Sequence, residues 1–213
     1  MRLSSMILFA GLGLLLLAGE TRAEKDAKLN PVLAKPGTVV LEERFDGQEL
    51  AKGWAVNKGT WQIKDGTVVG KEKKEDMHAA VLTLQKPFQN TVVRFSFKRD
   101  GAQGFNLSFN HPKGHLFRII VNDASLSLNK DKDAKDAKSK AAVLGKADGK
   151  FPAGQWITMQ IEVAGDKVVV QADNGVKVEG HDPALAVEKT GYRFVTKGES
   201  LLLDDLTIWQ VEP

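Results

Sequence analysis

Residues 104–120 read GFNLSFNHPKGHLFRII. Phe105, Leu107 and Phe109 alternate with Asn106, Ser108 and Asn110, and Pro112-Lys113-Gly114 then interrupts the run before HLFRII. Side chains two residues apart share one face of a strand, so an alternation of this kind buries one face and leaves the other polar. A Pro-Lys-Gly stretch between two such runs is a turn, and it sets them antiparallel. The polar face of this pair carries Asn106, Ser108, Asn110 and Arg118.

The same grammar extends in both directions. Upstream, VVLEERF begins at Val39, a turn falls at Asp46-Gly47, and GTWQIKDGTVVGK folds back at Asp65-Gly66, a strong hairpin signal. AAVLTLQK follows, then TVVRFSFKRD, in which Val93, Phe95 and Phe97 alternate with Arg94, Ser96 and Lys98. Downstream come SLSLNK and three strands in QWITMQIEVAGDKVVVQADNGVKVEG, turned at Ala164-Gly165-Asp166 and Asp173-Asn174-Gly175. GYRFVTK and SLLLDDLTIWQVEP close the series. About a dozen short strands at hairpin spacing, with no long amphipathic helix, indicate an all-β fold: an antiparallel two-sheet jelly-roll sandwich. An up-and-down barrel fits less well, because strands and loops are uneven in length. KDKDAKDAKSKAAVLGKADGK, residues 130–150, departs from the pattern. It reads as a Lys/Asp/Ala-rich solvated insertion whose charges largely cancel, with enough alanine and lysine to form a frayed helix.

The ends and the composition bound the rest. Arg2, the uncharged apolar run from Met6 to Gly19, and Thr21-Arg22-Ala23 have the three parts of a secretory signal peptide, cut after Ala23. The run is shorter than the ~20 residues of a spanning helix, so no membrane anchor is expected to remain. Residues 24–38 read as a flexible arm, and 39–213 as one sandwich domain. The chain is expected to be exported, periplasmic or extracellular. It has no cysteine, so disulfides, thiol catalysis and a lipid anchor are excluded. A net charge of +3 gives little reason to expect nucleic acid.

Several of these segments resemble the concanavalin A-like lectin and glucanase superfamily, and within it the secreted bacterial 3-keto-disaccharide hydrolase domain family. The segments are Phe45-Asp46-Gly47 followed by Trp54, then Trp61, Ile63, Asp65 and Gly66, a strand starting near Trp156, the Asn174-Gly175 hairpin, and Leu203-Asp204-Asp205-Leu206-Thr207-Ile208. They occur in the family's order from about Val40 to Val211. The resemblance implies the sandwich and an association with carbohydrate. The chain departs from the pattern where the family has Asn-Ser-Gly and then a strand bearing glutamate. It reads Gln103-Gly104-Phe105-Asn106-Leu107-Ser108 there, and His115 to Val121 contains no acid.

Glycoside hydrolysis needs two carboxyl groups about 5–10 Å apart. Between Arg94 and Asn129 the acids are Asp100 and Asp123, both at turns, so a pair on these strands is disfavoured. Glu75, Asp76 and Glu162 would have to reach in from elsewhere. Arg94, Ser96, Lys98, Asn106, Ser108, Asn110 and Arg118, with Ser127 and Asn129, can align into one polar patch. Amides and guanidinium groups suit sugar hydroxyls, and the cations suit uronates or sulfates. A plain solvent-facing sheet would look the same. Trp54 is the tryptophan kept as an exposed sugar platform. Asp46, Asp204 and Asp205 could meet where first and last strands adjoin and hold a structural calcium ion. His111 and His115 flank a turn and lack a third ligand at matching spacing.

The leading reading is an exported carbohydrate-associated module that binds a glycan on the polar face of one sheet. Two others stay open: a hydrolase or lyase acting on 3-keto-disaccharides, and a non-catalytic structural or protein-binding component of the envelope.

Overall fold

The computed structural model describes residues 29–211. The expected signal segment, 1–23, and the start of the arm lie outside the described residues. The strands are β1 (Val39–Glu43), β2 (Trp54–Lys58), β3 (Thr60–Lys64), β4 (Thr67–Lys71), β5 (Ala80–Leu84), β6 (Thr91–His111), β7 (Gly114–Val121), β8 (Ser125–Lys130), β9 (Ala142–Asp148), β10 (Trp156–Ala164), β11 (Lys167–Ala172), β12 (Lys177–His181) and β13 (Gly191–Gln210). All pairings are antiparallel, and the expected jelly-roll sandwich is what the chain forms.

Two long strands build both layers. TVVRFSFKRD and GFNLSFN, read as separate strands, are the two halves of β6; GYRFVTK and SLLLDDLTIWQ are likewise the halves of β13. β6 and β13 pair along their whole lengths, with register shifts around Gly198 and Ser200 opposite Asp100 and Gly101. There the ribbon folds over. Layer one takes Thr91–Arg99 with β10, β11 and β12 on one side, and Leu201–Gln210 with β4, β3 and β1 on the other. Layer two takes the other halves, with β7, β8 and β9 on one side and β5 and β2 on the other.

Gly101 makes the fold-over possible with a φ of 92°, which a side chain would strain. Arg99 fastens it. Its guanidinium is buried, donates to the carbonyls of Ala102 and Phe151, and pairs with Asp123.

Between the layers, Phe95 and Phe97 from one half of β6 meet Phe105 from the other, and Phe95 meets Phe194 edge-on at 5.3 Å. Trp54 belongs here too. Its ring lies 6.0 Å from Phe45 and 6.2 Å from Phe194, and it packs on the core. It is therefore not an exposed platform: Trp54 pairs with Leu84, so it points inward with it.

The expected insertion is shorter than the sequence reading had it. Ala142–Asp148 forms β9, the edge strand beside β8. Leu144 packs against the core, and β9 closes on β12 so tightly that a Cβ on Gly145 would overlap the carbonyl of Glu179. Edge pairing and a half-buried leucine outweigh the modest helix preference of alanine and lysine.

Candidate functional site

The fold-over divides the expected patch. Arg94, Ser96 and Lys98 sit on the outer face of layer one, whereas Asn106, Ser108, Asn110, Arg118, Ser127 and Asn129 sit on the outer face of layer two. The inward neighbours of both sets touch each other, so the two sets point in opposite directions. One continuous patch is not formed, because period two fixes a side chain's face within a strand and says nothing about a strand that changes layer.

The layer-one face is largely occupied. Glu162 is fully buried there, yet its carboxylate is satisfied. Oε2 accepts from the backbone N–H of Val32 (3.0 Å), Leu33 (2.6 Å) and Ala34 (2.8 Å), and Oε1 from the side chains of Gln160 (3.0 Å) and Gln171 (3.2 Å). Arg94 donates to Gln160 Oε1 and to the carbonyl of Leu29, and its guanidinium lies over Trp209. Burial lowers the pKa of Arg94, and the Glu162 charge partly offsets this. Residues 29–34 thus lie across this face. Beyond them, Lys98 stands over the Trp156 ring beside a polar cleft of about 420 Å³ that Asp100 and the β3–β4 turn complete.

On the layer-two face, register sets one row across five strands: Thr83, Arg193, Ser108, Arg118 and Asn129. A second row holds Val195, Asn106, Ile120, Ser127 and Lys146. The side-chain hydrogen bonds of this face run between its own neighbours. Thr83 donates to Asn57, Asn129 to Ser127, His115 meets Asn110 at 3.1 Å, and Arg118 forks onto Asp131. The side chains of Asn106, Ser108 and Arg193 make no hydrogen bond or ion pair among the described residues; Ser108 is buried, and so is the Nε of Arg193. Arg193 escaped the sequence reading, although the alternation in GYRFVTK sends Tyr192 and Phe194 inward and Arg193 outward.

The remaining expected residues lie apart from this face. Asp204 and Asp205 form a β-bulge in β13, with Asp205 at a φ of 48° and its N–H on Asp204 Oδ1. Asp46 is exposed, and the cation near it and Asp205 is Arg44, whose pKa is raised chiefly by Glu42 and slightly by these two. Among the described residues no three His, Asp or Glu side chains gather as a metal site. Asp76 accepts from the N–H of Gly59, and Glu75 is exposed.

Known proteins share this architecture. A carbohydrate-binding module, CBM66, from Bacillus subtilis superposes with a TM-score of 0.60 at 14% identity, over 74% of this chain and 96% of that one. A laminarinase from Flavobacterium sp. UMI-01 gives 0.59 at 14%, over 81% and 100%. A Bacillus subtilis protein of unknown function with a galectin-like fold gives 0.60 at 14%, over 84% and 99%. At these identities the likeness is one of fold. No curated protein matches the sequence. Residues 41–202 match the model of the 3-keto-alpha-glucoside-1,2-lyase-like domain, and the chain belongs to that family.

Proposed function

We propose that this protein is an exported module that binds a glycan on the outer face of layer two. The observation that carries the reading is the asymmetry of the two faces. Residues 29–34 lie across layer one through Glu162, whereas layer two presents two adjacent rows in which the half-buried side chains of Asn106 and Arg193 are engaged by no other described residue. An amide beside guanidinium groups supplies donors and acceptors in set directions, which is what a ring of sugar hydroxyls needs. Family membership and the carbohydrate-binding module among the similar folds support the ligand class. Binding is preferred over bond cleavage because of what faces this surface. Among the described residues, strand register places Asp148 at the β9 corner and no carboxylate in the two central rows, and Arg118 holds Asp131.

A glycan array followed by calorimetry tests this. Asn106→Ala and Arg118→Ala should each weaken binding about tenfold or more, while Lys98→Ala on the opposite face leaves it unchanged. The reverse pattern would move the site to layer one. Turnover of 3-keto-glucosides would instead favour the lyase reading. Silence in both assays would leave a structural or protein-binding role.

A further inference from the structure

Arg193 has a guanidinium for which no described residue supplies an acceptor. Its five N–H groups are donors only, and it is always charged. β13 places it between Thr83 of β5 and Ser108 of β6, in the middle of the layer-two face. Thr83 spends its hydroxyl proton on Asn57, and the hydroxyl of Ser108 stays unengaged beside Arg193. The Nε is buried and unpaired. A buried donor left without an acceptor is destabilising, and at an open face a bound ligand is one partner that relieves it.

The surroundings identify the partner's charge. Strands lie about 4.8 Å apart, so the Cα atoms of Arg193 and Arg118 stand about 10 Å apart with Ser108 between them. Arg118 is already neutralised by Asp131. Register adds Lys58, Lys146 and Lys197 to the same face, against Asp148 at one corner. The charge that the strands bring to this face is therefore net positive, and Arg193 stands in one of its two central rows.

We propose that Arg193 is the anchor for an oxyanion carried by the glycan, a uronate carboxylate or a sulfate ester, held by its guanidinium fork. This rests on the glycan-binding reading above and narrows it to acidic sugars. A fork matches a planar pair of oxygens, and a charge-assisted pair is about twice as strong as a neutral one.

Three probes of comparable length separate the possibilities: an oligogalacturonate, a sulfated carrageenan oligosaccharide and a neutral galactan oligosaccharide, titrated into the whole protein. At least one acidic probe should bind about tenfold or more tighter than the neutral one, and its affinity should fall as salt is raised. Which acidic probe wins identifies the carboxylate or the sulfate. Arg193→Gln should abolish the preference, and Arg193→Lys should restore part of it, because charge returns without the fork. Neutral galactan binding as tightly as both acidic probes, with no salt dependence, would overturn the anchor and leave the glycan-binding reading intact. Binding of no glycan in the array or of these probes would overturn both. Should Arg193→Gln fail to fold, Arg193→Lys carries the test: loss of most of the preference supports the fork, and an undiminished preference would overturn it.

Discussion

Phe97 and Phe105 belong to one strand, yet their rings meet across the core with centroids 4.6 Å apart. Eight residues of extended chain would hold them far beyond contact. Their meeting is the fold-over of β6 seen from inside, and it sends the polar residues of the two halves of β6 to opposite sides of the protein.

Truncating either ring should therefore loosen the two layers together. Phe105→Ala is expected to cost about 3–5 kcal/mol, since the site is enclosed on all sides and cannot collapse. Urea unfolding measures this. A loss below about 1 kcal/mol would mean the halves of β6 are not held through their rings.

Gly101 supplies the turn that brings those rings together. Gly101→Val places a β-branched side chain at a φ of 92° and its Cβ against Glu199. A cost of about 1–3 kcal/mol is expected. An unchanged melting temperature would show that the backbone reaches the same fold-over another way.

Glu162 holds residues 32–34 through three backbone N–H groups. In Glu162→Gln one oxygen is replaced by an NH₂ that cannot accept, and one or more of these bonds is lost. Hydrogen exchange at Val32, Leu33 and Ala34 should quicken about tenfold or more while β6 amides keep their protection. Unaltered exchange at the three would place the hold on these residues elsewhere.

Lys189 is buried, donates to the Gln89 carbonyl at 2.9 Å and lies near the Phe88 ring. Burial lowers its pKa from 10.5 to about 8. Between those values the unfolded chain holds a proton that the native protein has released, so this group makes stability rise with pH across that window. Below pH 8 both states are protonated, and the folded protein carries the desolvation cost. Lys189→Met removes the charge and the Gln89 bond. It should be more stable than the parent at pH 7, by about 1–2 kcal/mol, and lose that advantage by pH 10.5. Parallel stability curves for the two proteins over that range would contradict the assignment.

Much of the fold was legible before any coordinates. Asp65-Gly66 turns β3 into β4 with both residues at positive φ, as an Asp-Gly pair between alternating runs implies, and Ala164-Gly165-Asp166 joins β10 to β11. β9 was hidden because Ala142–Asp148 has little alternation of its own. It becomes a strand through β8 beside it and β12 across from it. Trp54 was ambiguous for a similar reason: a tryptophan at a strand start suits a rim or a core equally until Phe45 and Phe194 close around it.

The sequence alone determined which residues alternate, where hairpins turn and which side chain of each pair is buried, since these follow from strand periodicity and local turn chemistry over a few residues. Only the tertiary structure decided that β6 and β13 each cross between layers, that Arg94 and Arg118 therefore look away from each other, and that Glu162 is satisfied while Arg193 is not. Those outcomes depend on pairings between residues far apart in the chain, 130 positions for Glu162 with Val32. No local period encodes such a distance.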